Sequence, residues 1–311
     1  MANYLVTGVA GFIGSKLAER LLNNQHSVVG IDNLSTGFIE MVPAGVVFIE
    51  GGCHDASIIA DLGQMSFDAI FHIAGQSGGE MSYDDPVYDL QSNAQSTLLL
   101  LELARDVGCK NFVYASTVSV YGEPGNSDKI AEESTLFPKS FYGVGKLASE
   151  NYMRIYADQF NLNTTALRLF NTYGPGQNLK NFKQGIASIY LAQAISKRHI
   201  HIKGSGDRYR DMVYIDDVID AFCSIVTKNL GGYRVYNVCT GIKTRVDTLV
   251  NEIMKSLPYP VTYEYSGSTP GDTHGYTGNN QKIKRELSWV PRVLLEDGIK
   301  EMVQWALEKR I

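Results

Sequence analysis

The chain has few cysteines, no long apolar run and no positive charge excess. Its four cysteines, Cys53, Cys109, Cys223 and Cys239, show no CxxC spacing and no dense framework. They are therefore expected as reduced thiols in a cytoplasmic protein. Nothing approaches the roughly 20 consecutive apolar residues of a membrane helix. The first residues lack a basic stretch followed by an apolar one, so no signal peptide is expected. A net charge of −5 argues against nucleic acid or an anionic membrane as partner. Internal repeats, low-complexity tracts and linkers are also missing. What remains is 311 residues, 44% hydrophobic and 20% charged, the composition of an ordinary globular protein with a substantial core.

The organising stretch lies at the start, YLVTGVAGFIG from Tyr4 to Gly14. Tyr4 to Val6 is an apolar run suited to a buried parallel strand. Gly8, Gly11 and Gly14 follow at intervals of three, ahead of the helix-favouring SKLAERLL. Such spacing gives a tight turn, lets the backbone approach a diphosphate, and lets helix pack closely on strand. The helix N-terminus then faces the anion. A second apolar run, Ser27 to Ile31, closes on Asp32, 18 residues beyond Gly14. There a carboxylate meets the adenosine ribose hydroxyls of a dinucleotide. No basic residue lies between Asp32 and Gly37 to receive a 2′-phosphate, which favours NAD over NADP.

Alternating strand and helix patterns predict an α/β fold, a Rossmann-type doubly wound parallel sheet. Strands are expected at Val46 to Ile49, Ala69 to Ile73, Phe112 to Ala115 and Thr165 to Leu169. Long helices are expected at Pro86 to Val107 and Ser140 to Phe160. Beyond Tyr173 the alternation loosens into a helix near Ile186 to Lys197 and short strands at His199 to Lys203, Met212 to Ile215 and Val235 to Val238. A last amphipathic helix contains Ile299, Met302, Val303 and Trp305. The expected division is a NAD-binding domain over 1–178 plus about 212–240, and a smaller interleaved α/β substrate domain over 179–211 and 241–311.

Tyr142 and Lys146 stand four apart, which puts phenol and ammonium on one helix face. They follow Ser116-Thr117 at the carboxyl end of the fifth strand, the edge where open α/β sheets bind ligands. Taking a hydroxyl proton while hydride leaves the same carbon needs a base active near neutral pH. A free tyrosine titrates near ~10, and a shift of about three units takes about 4 kcal/mol. A cation about 4 Å away supplies about 1 kcal/mol in water and about 4 at an effective dielectric of about 20. Lys146 with a positively charged nicotinamide meets that need only in a partly closed cleft.

The motifs TGVAGFIG, IDNLSTG, HIAG, ASTVSVYG, YGVGK, RLFNTYGP and RDMVYIDD span nearly the whole chain. In them the chain resembles the extended short-chain dehydrogenases/reductases of the sugar-nucleotide epimerase/dehydratase family, and within it the UDP-glucose 4-epimerases. The resemblance implies NAD held by Gly8, Gly11, Phe12, Ile13, Gly14, Asp32, Asn33, Leu34, Ser35, Thr36, Gly37, Gly52 and Cys53. It also implies contacts from Ile73, Ala74, Gly75, Gln76, Asn93, Tyr142, Lys146 and Phe170. Thr117, Tyr142 and Lys146 are the implied catalytic set. Ser77, Thr117, Ser119, Asn171, Ile202, Arg210 and Tyr276 are the implied substrate contacts, for a nucleotide sugar. A homodimer paired through the two long helices is also implied.

Departures qualify the resemblance. Gly52 stands where the family usually has an acidic residue, and Ser77 where some 4-epimerases have lysine. Thr269 stands where many members carry a second phosphate-binding arginine; Lys183, Arg208 and Arg292 are the basic residues left to compensate. Dehydratases carry an Asp-Glu pair just after the position of Thr117, and decarboxylases a Glu. Here those positions are Val118 and Ser119, so epimerisation at carbon 4 through a 4-keto sugar is the expected reaction. A 4-dehydrogenase/reductase of the same family and a non-catalytic NAD-binding regulator stay open as alternatives. His72 reads as structural, Asp216 and Asp217 as helix caps, and His199 with His201 lack the partners of a metal site. No metal is expected.

Overall fold

Each strand of the main sheet is an apolar run that ends where polar chemistry begins. The computed structural model describes residues 1–123, 129–183, 185–228, 230–267 and 274–309; Thr269 lies outside them. Strands β1 (Asn3–Thr7), β2 (Ser27–Asp32), β3 (Val47–Glu50), β4 (Ala69–His72), β5 (Asn111–Thr117) and β6 (Asn163–Leu169) join Tyr233–Val238 in one sheet. Its order is Tyr233–Val238, β6, β5, β4, β1, β2, β3. β1 is central and pairs in parallel with both β2 (Tyr4 with Val28) and β4 (Tyr4 with Ala69). The order reverses beside β1, and such a switch point opens a crevice at the carboxyl ends of the strands.

Helix α1 (Phe12–Asn23) follows β1, and α2 (Ala56–Leu62) follows β3. Leu5, Ile31, Leu62, Ile70, Leu100 and Phe112 are fully or almost fully buried in one core. Each contributes about 1.5–3 kcal/mol through removal from water.

The helix expected over Pro86 to Val107 is not a single α-helix. It comprises α3 (Pro86–Leu90), a π-helical turn at Gln91–Gln95 and α4 (Ser96–Asp106). Asp85 caps α3 by accepting the Tyr88 N–H, with Pro86 in the first turn. The wider turn carries Ser92, Asn93 and Ala94 into the interior. There the Asn93 carbonyl accepts the hydroxyls of Thr97 (2.7 Å) and Ser149 (2.9 Å). Apolar periodicity does not reveal this turn, because the residues it buries, Ser92, Asn93 and Ala94, are polar or small.

Helix α5 (Phe141–Phe160) starts one residue after the expected Ser140, whose hydroxyl is the N-cap and accepts the Gly143 N–H. Asn161 ends it in a left-handed conformation (φ 55°). Ile215, expected in a strand, begins the helix Ile215–Lys228.

The chain divides into two compact units. The first comprises Met1–Gly122, Thr135–Arg168 and Ile219–Tyr236; the second comprises Glu123–Ser134, Leu169–Val218 and Asn237–Ile311. Set beside the expected division, 123–134, 169–178, 212–218 and 237–240 go to the second unit. Proximity in space, not the strand–helix rhythm, sets the boundaries.

In the second unit, Asn171–Tyr173 pairs in parallel with Met212–Tyr214, and His199–Lys203 with Thr262–Ser266. Buried Asp211 ties its loops together, accepting the N–H groups of Thr240, Gly241 and Gly278 at 2.7, 2.9 and 3.1 Å. No helix among the described residues is long and apolar enough to cross a membrane.

Candidate active site

The turn after β1 is built for a close approach. Gly8 has φ 71°, and a Cβ there would lie 2.9 Å from the Ala74 nitrogen. A Cβ on Gly14 would fall 2.0 Å from the Gly8 carbonyl oxygen. Helix and turn therefore pack backbone to backbone, which only glycine permits. Helix α1 has no side-chain cap at Gly11 and no acidic residue in its first turn. Its positive end is thus unopposed, as an anion site requires. Phe12 and Ile13 open the helix, half-buried.

Asp32 ends β2 with its carboxylate turned back to the first turn. Oδ2 accepts the Ala10 N–H at 3.0 Å and Oδ1 the Leu34 N–H at 2.8 Å. Burial raises the carboxyl pKa, while the Leu34 and Ala10 N–H groups lower it. Each oxygen keeps a second lone-pair direction for a ligand hydroxyl. Asn33, Ser35 and Thr36 are exposed, and Leu34 and Gly37 are half-buried. Asn33 donates to the Tyr88 hydroxyl at 3.2 Å. Gly52 is half-buried, and Cys53 is buried with its thiol pushed up to about 12 by burial.

Beyond β4, the Thr7 hydroxyl accepts the N–H groups of Ile73 (3.1 Å) and Ala74 (3.0 Å). Gln76 donates its backbone N–H to the Ser92 hydroxyl at 3.1 Å. Ser77 is exposed. His72 is fully buried between the hydroxyls of Thr7 (2.9 Å) and Ser96 (3.3 Å). Burial, reinforced by the Lys146 charge, holds its pKa well below the usual histidine range.

Thr117 ends β5, and its hydroxyl accepts the Ser119 N–H at 3.2 Å as the cap of a short 3-10 turn. Two residues back along the strand, the Ala115 carbonyl receives the Lys146 ammonium at 3.0 Å. Lys146 Nζ also lies 4.6 Å from the centre of the Tyr114 ring and 5.8 Å from that of Tyr142. Burial lowers Lys146 to about 7, with Asp89 and Glu150 pulling it upward. Lys146 thus reaches β5 two residues before Thr117, and Tyr142 stands one helical turn before Lys146.

Two neighbours escaped the sequence reading. Glu150, one turn beyond Lys146, is buried and pairs with buried Arg168 at 2.6 Å. The Glu150 carboxylate also accepts the Ser116 hydroxyl, and Arg168 donates to the Tyr121 hydroxyl at 2.7 Å. Asp89, on α3, is the second of these neighbours; it too is buried, and it accepts the Asn93 side-chain amide at 3.1 Å. The spacing Tyr142-Lys146-Glu150 signals a polar face on a buried helix, but nothing in sequence pairs it with Arg168.

The second unit gathers another set. The Tyr276 hydroxyl donates to Asn171 Oδ1 at 2.9 Å, and the Tyr276 ring lies edge-on to Phe170 with centroids 5.9 Å apart. The Arg210 guanidinium sits 5.2 Å from the Tyr276 ring centre. Asn171, Phe170, Arg210 and Tyr276 therefore form one cluster. Ile202 is apart from it in character: its side chain is fully buried in a strand. Of the other basic residues, Arg208 donates to the carbonyls of Lys203 and Ser205.

Asp216 and Asp217 stand in the first turn of their helix. The Asp217 carboxylate also accepts the N–H groups of Arg292 (2.9 Å) and Val293 (3.2 Å). His199 has an acidic neighbour that was not expected, Glu264 at 3.5 Å. Among the described residues no three His, Cys, Asp or Glu side chains are placed to hold a metal ion.

Residues 4–239 match the model of the NAD dependent epimerase/dehydratase family. The chain is 34% identical to a UDP-glucose 4-epimerase of Mycolicibacterium smegmatis over 98% of both chains. Its fold is similar to that of the UDP-glucose 4-epimerase of Thermotoga maritima solved with UDP-glucose, with TM-score 0.92 and 31% identity. That match covers 99% of this chain and 100% of the other. The Thermus thermophilus UDP-glucose 4-epimerase, solved in complex with NAD, matches with TM-score 0.91 and 30% identity over 97% of this chain and 98% of the other. With the glycine turn, the Asp32 carboxylate and the Tyr142/Lys146 pair all in place, the chain belongs to the NAD-dependent epimerase/dehydratase family.

Proposed function

We propose that the protein is a NAD-dependent nucleotide-sugar 4-epimerase, with a UDP-sugar as the favoured substrate. The observation that carries this is the Lys146 ammonium anchored at the carboxyl end of β5, 5.8 Å from the Tyr142 ring and two residues from Thr117. Gly8 and Gly14, the α1 N-terminus and Asp32 fit a dinucleotide diphosphate and its ribose. Asn33 to Gly37, Gly52, Cys53, Ile73 to Gln76, Asn93 and Phe170 complete that set. NAD held there would supply a reversible hydride acceptor.

Tyr142, as phenolate, takes the proton of the sugar 4-hydroxyl and returns it in the reverse half-reaction. Lys146 stabilises the phenolate electrostatically, by about 4 kcal/mol for charges about 4 Å apart at an effective dielectric of about 20. Thr117 hydrogen-bonds the reacting hydroxyl and, with Ser119, fixes its direction. Arg210 and Asn171 bind the diphosphate, for which a guanidinium is suited. Ser77, Ile202 and Tyr276 complete the substrate side. Val118 and Ser119 offer no second acid or base, so elimination from the 4-keto sugar is not catalysed.

We also read the protein as cytoplasmic and homodimeric. Leu90 on α3 and Phe141, Val144 and Ile155 on α5 are exposed, and a second copy would cover them. A monomer in light scattering at micromolar concentration contradicts the dimer.

The activity test is incubation of the NAD-loaded protein with UDP-galactose, UDP-glucose and their N-acetyl counterparts. Interconversion without accumulating reduced cofactor is expected. Stoichiometric accumulation assigns a dehydrogenase instead, and no product from any nucleotide sugar assigns a non-catalytic NAD-binding protein.

A further inference from the structure

The Asn93 side chain is fully buried, and its amide is fixed by two acceptors. Its nitrogen donates to Asp89 Oδ2 and to the Gln76 carbonyl, both at 3.1 Å. A carboxylate and a carbonyl only accept, so the amide cannot be flipped. Asn93 Oδ1 is thereby turned the other way and has no hydrogen-bond partner. It borders the small space over Gly75: a Cβ built on Gly75 would lie 2.4 Å from Asn93 Oδ1 and 3.2 Å from Lys146 Nζ. A buried acceptor without a donor is costly. An ammonium has three donors, and Lys146 places one on the Ala115 carbonyl at 3.0 Å.

We propose that Asp89 is a positioning residue for the Tyr142/Lys146 pair: it locks the Asn93 amide so that Oδ1 stays open as a second acceptor toward the space the Lys146 ammonium borders, and its carboxylate keeps that ammonium charged. This rests on the reading of Tyr142 and Lys146 as the acid/base pair. Asp89 is well placed for the role. It is buried on α3, and its Oδ1 would lie 3.4 Å from a Cβ at Gly145, the residue before Lys146. The groups around Lys146 are Asp89 from α3, Glu150 and Tyr142 from α5, His72 from β4 and Tyr114 from β5. Glu150 is already paired with Arg168, His72 is held neutral, and burial keeps the Tyr114 phenol protonated. Asp89 is therefore the carboxylate not neutralised by a guanidinium. Burial raises it to about 6, while Asn93 and then Lys146 favour its charged form.

Asp89→Asn keeps an acceptor for the Asn93 amide and deletes only the charge. In the NAD-loaded protein, tyrosinate absorbance against pH, read as the difference from Tyr142→Phe, reports the Tyr142 phenol directly. The expected result is an upward displacement of about one unit, a tenfold smaller phenolate fraction on the rising limb. An unmoved Tyr142 ionisation in folded Asp89→Asn overturns the proposal. Should that variant not fold, reciprocity supplies a second reading. In carbon-13 NMR of labelled aspartate, Lys146→Met moves the Asp89 carboxyl titration up by about one unit relative to wild type. A titration unchanged by Lys146→Met also overturns it. Neither readout needs turnover, so failure of the epimerase reading shows separately, as no product from any nucleotide sugar.

Discussion

The carboxylate of Asp32 accepts the backbone N–H of Ala10 at 3.0 Å, so the end of β2 holds the glycine turn that follows β1. Its other oxygen accepts the Leu34 N–H, and Leu34 has φ 54°. One side chain thus shapes both turns of the proposed cofactor site. Asp32→Ala loses charged hydrogen bonds worth about 1.5–3 kcal/mol each. Weaker NAD binding is expected together with a lower unfolding midpoint. Asp32→Asn keeps one acceptor oxygen and should fall between wild type and Asp32→Ala in both. Calorimetric titration with NAD and urea unfolding check the pair; unchanged NAD affinity in Asp32→Ala would sink the assignment.

The Glu150–Arg168 pair makes a separate prediction about stability. Both side chains are almost wholly buried, so removing one leaves an uncompensated charge, at about 3–5 kcal/mol. Glu150→Leu and Arg168→Met should each lower the urea midpoint strongly. The double variant should be less destabilised than the sum of the two, since it leaves no lone charge. Additive losses would show that the pair contributes no coupling.

These cases mark what was legible in sequence. The glycine turn, Asp32 and the Tyr142/Lys146 pair were readable because each is local: a strand end, a short turn or one helix face fixes it. Asp89 and Glu150 were not, because their significance depends on partners that tertiary packing supplies. Asp89 stands only four residues before Asn93, but Lys146 comes to it from α5, and Arg168 reaches Glu150 from β6. The Asn171–Tyr276 contact joins residues 105 positions apart. Resemblance named both of those residues, but their hydrogen bond emerged only from the fold. The division into two units likewise follows packing rather than the rhythm of strands and helices.

Acid stability should carry the mark of His72. Its folded pKa lies well below the ordinary value of 6.5 because the ring is buried. Below pH 6.5 the unfolded chain therefore binds a proton that the folded one refuses. Stability then falls as pH falls, by up to about 1.36 kcal/mol per unit. Between pH 6.5 and 5, wild type should lose about 1.5–2 kcal/mol more than His72→Gln. Chemical unfolding at the two pH values tests this, and parallel losses in both proteins would place the proton elsewhere.

Tyr142 gives the most direct test of the chemistry. Tyr142→Phe removes one oxygen from a half-buried side chain, so fold and NAD affinity should persist. Turnover should nevertheless fall by about 10²–10⁴, the usual contribution of a positioned acid/base. Lys146 adds the pH dependence. Burial holds it near about 7, so its charge is fully present below that value and is lost as pH rises through it. The phenolate needs the opposite change, appearing as pH rises. Turnover should therefore follow a bell-shaped profile, whose two limbs belong to the coupled pair rather than to either residue. Lys146→Met should lower the maximum, move the rising limb upward and abolish the falling limb. Near-wild-type turnover in Tyr142→Phe, with nucleotide sugar saturating and NAD fully loaded, would assign the proton to another group.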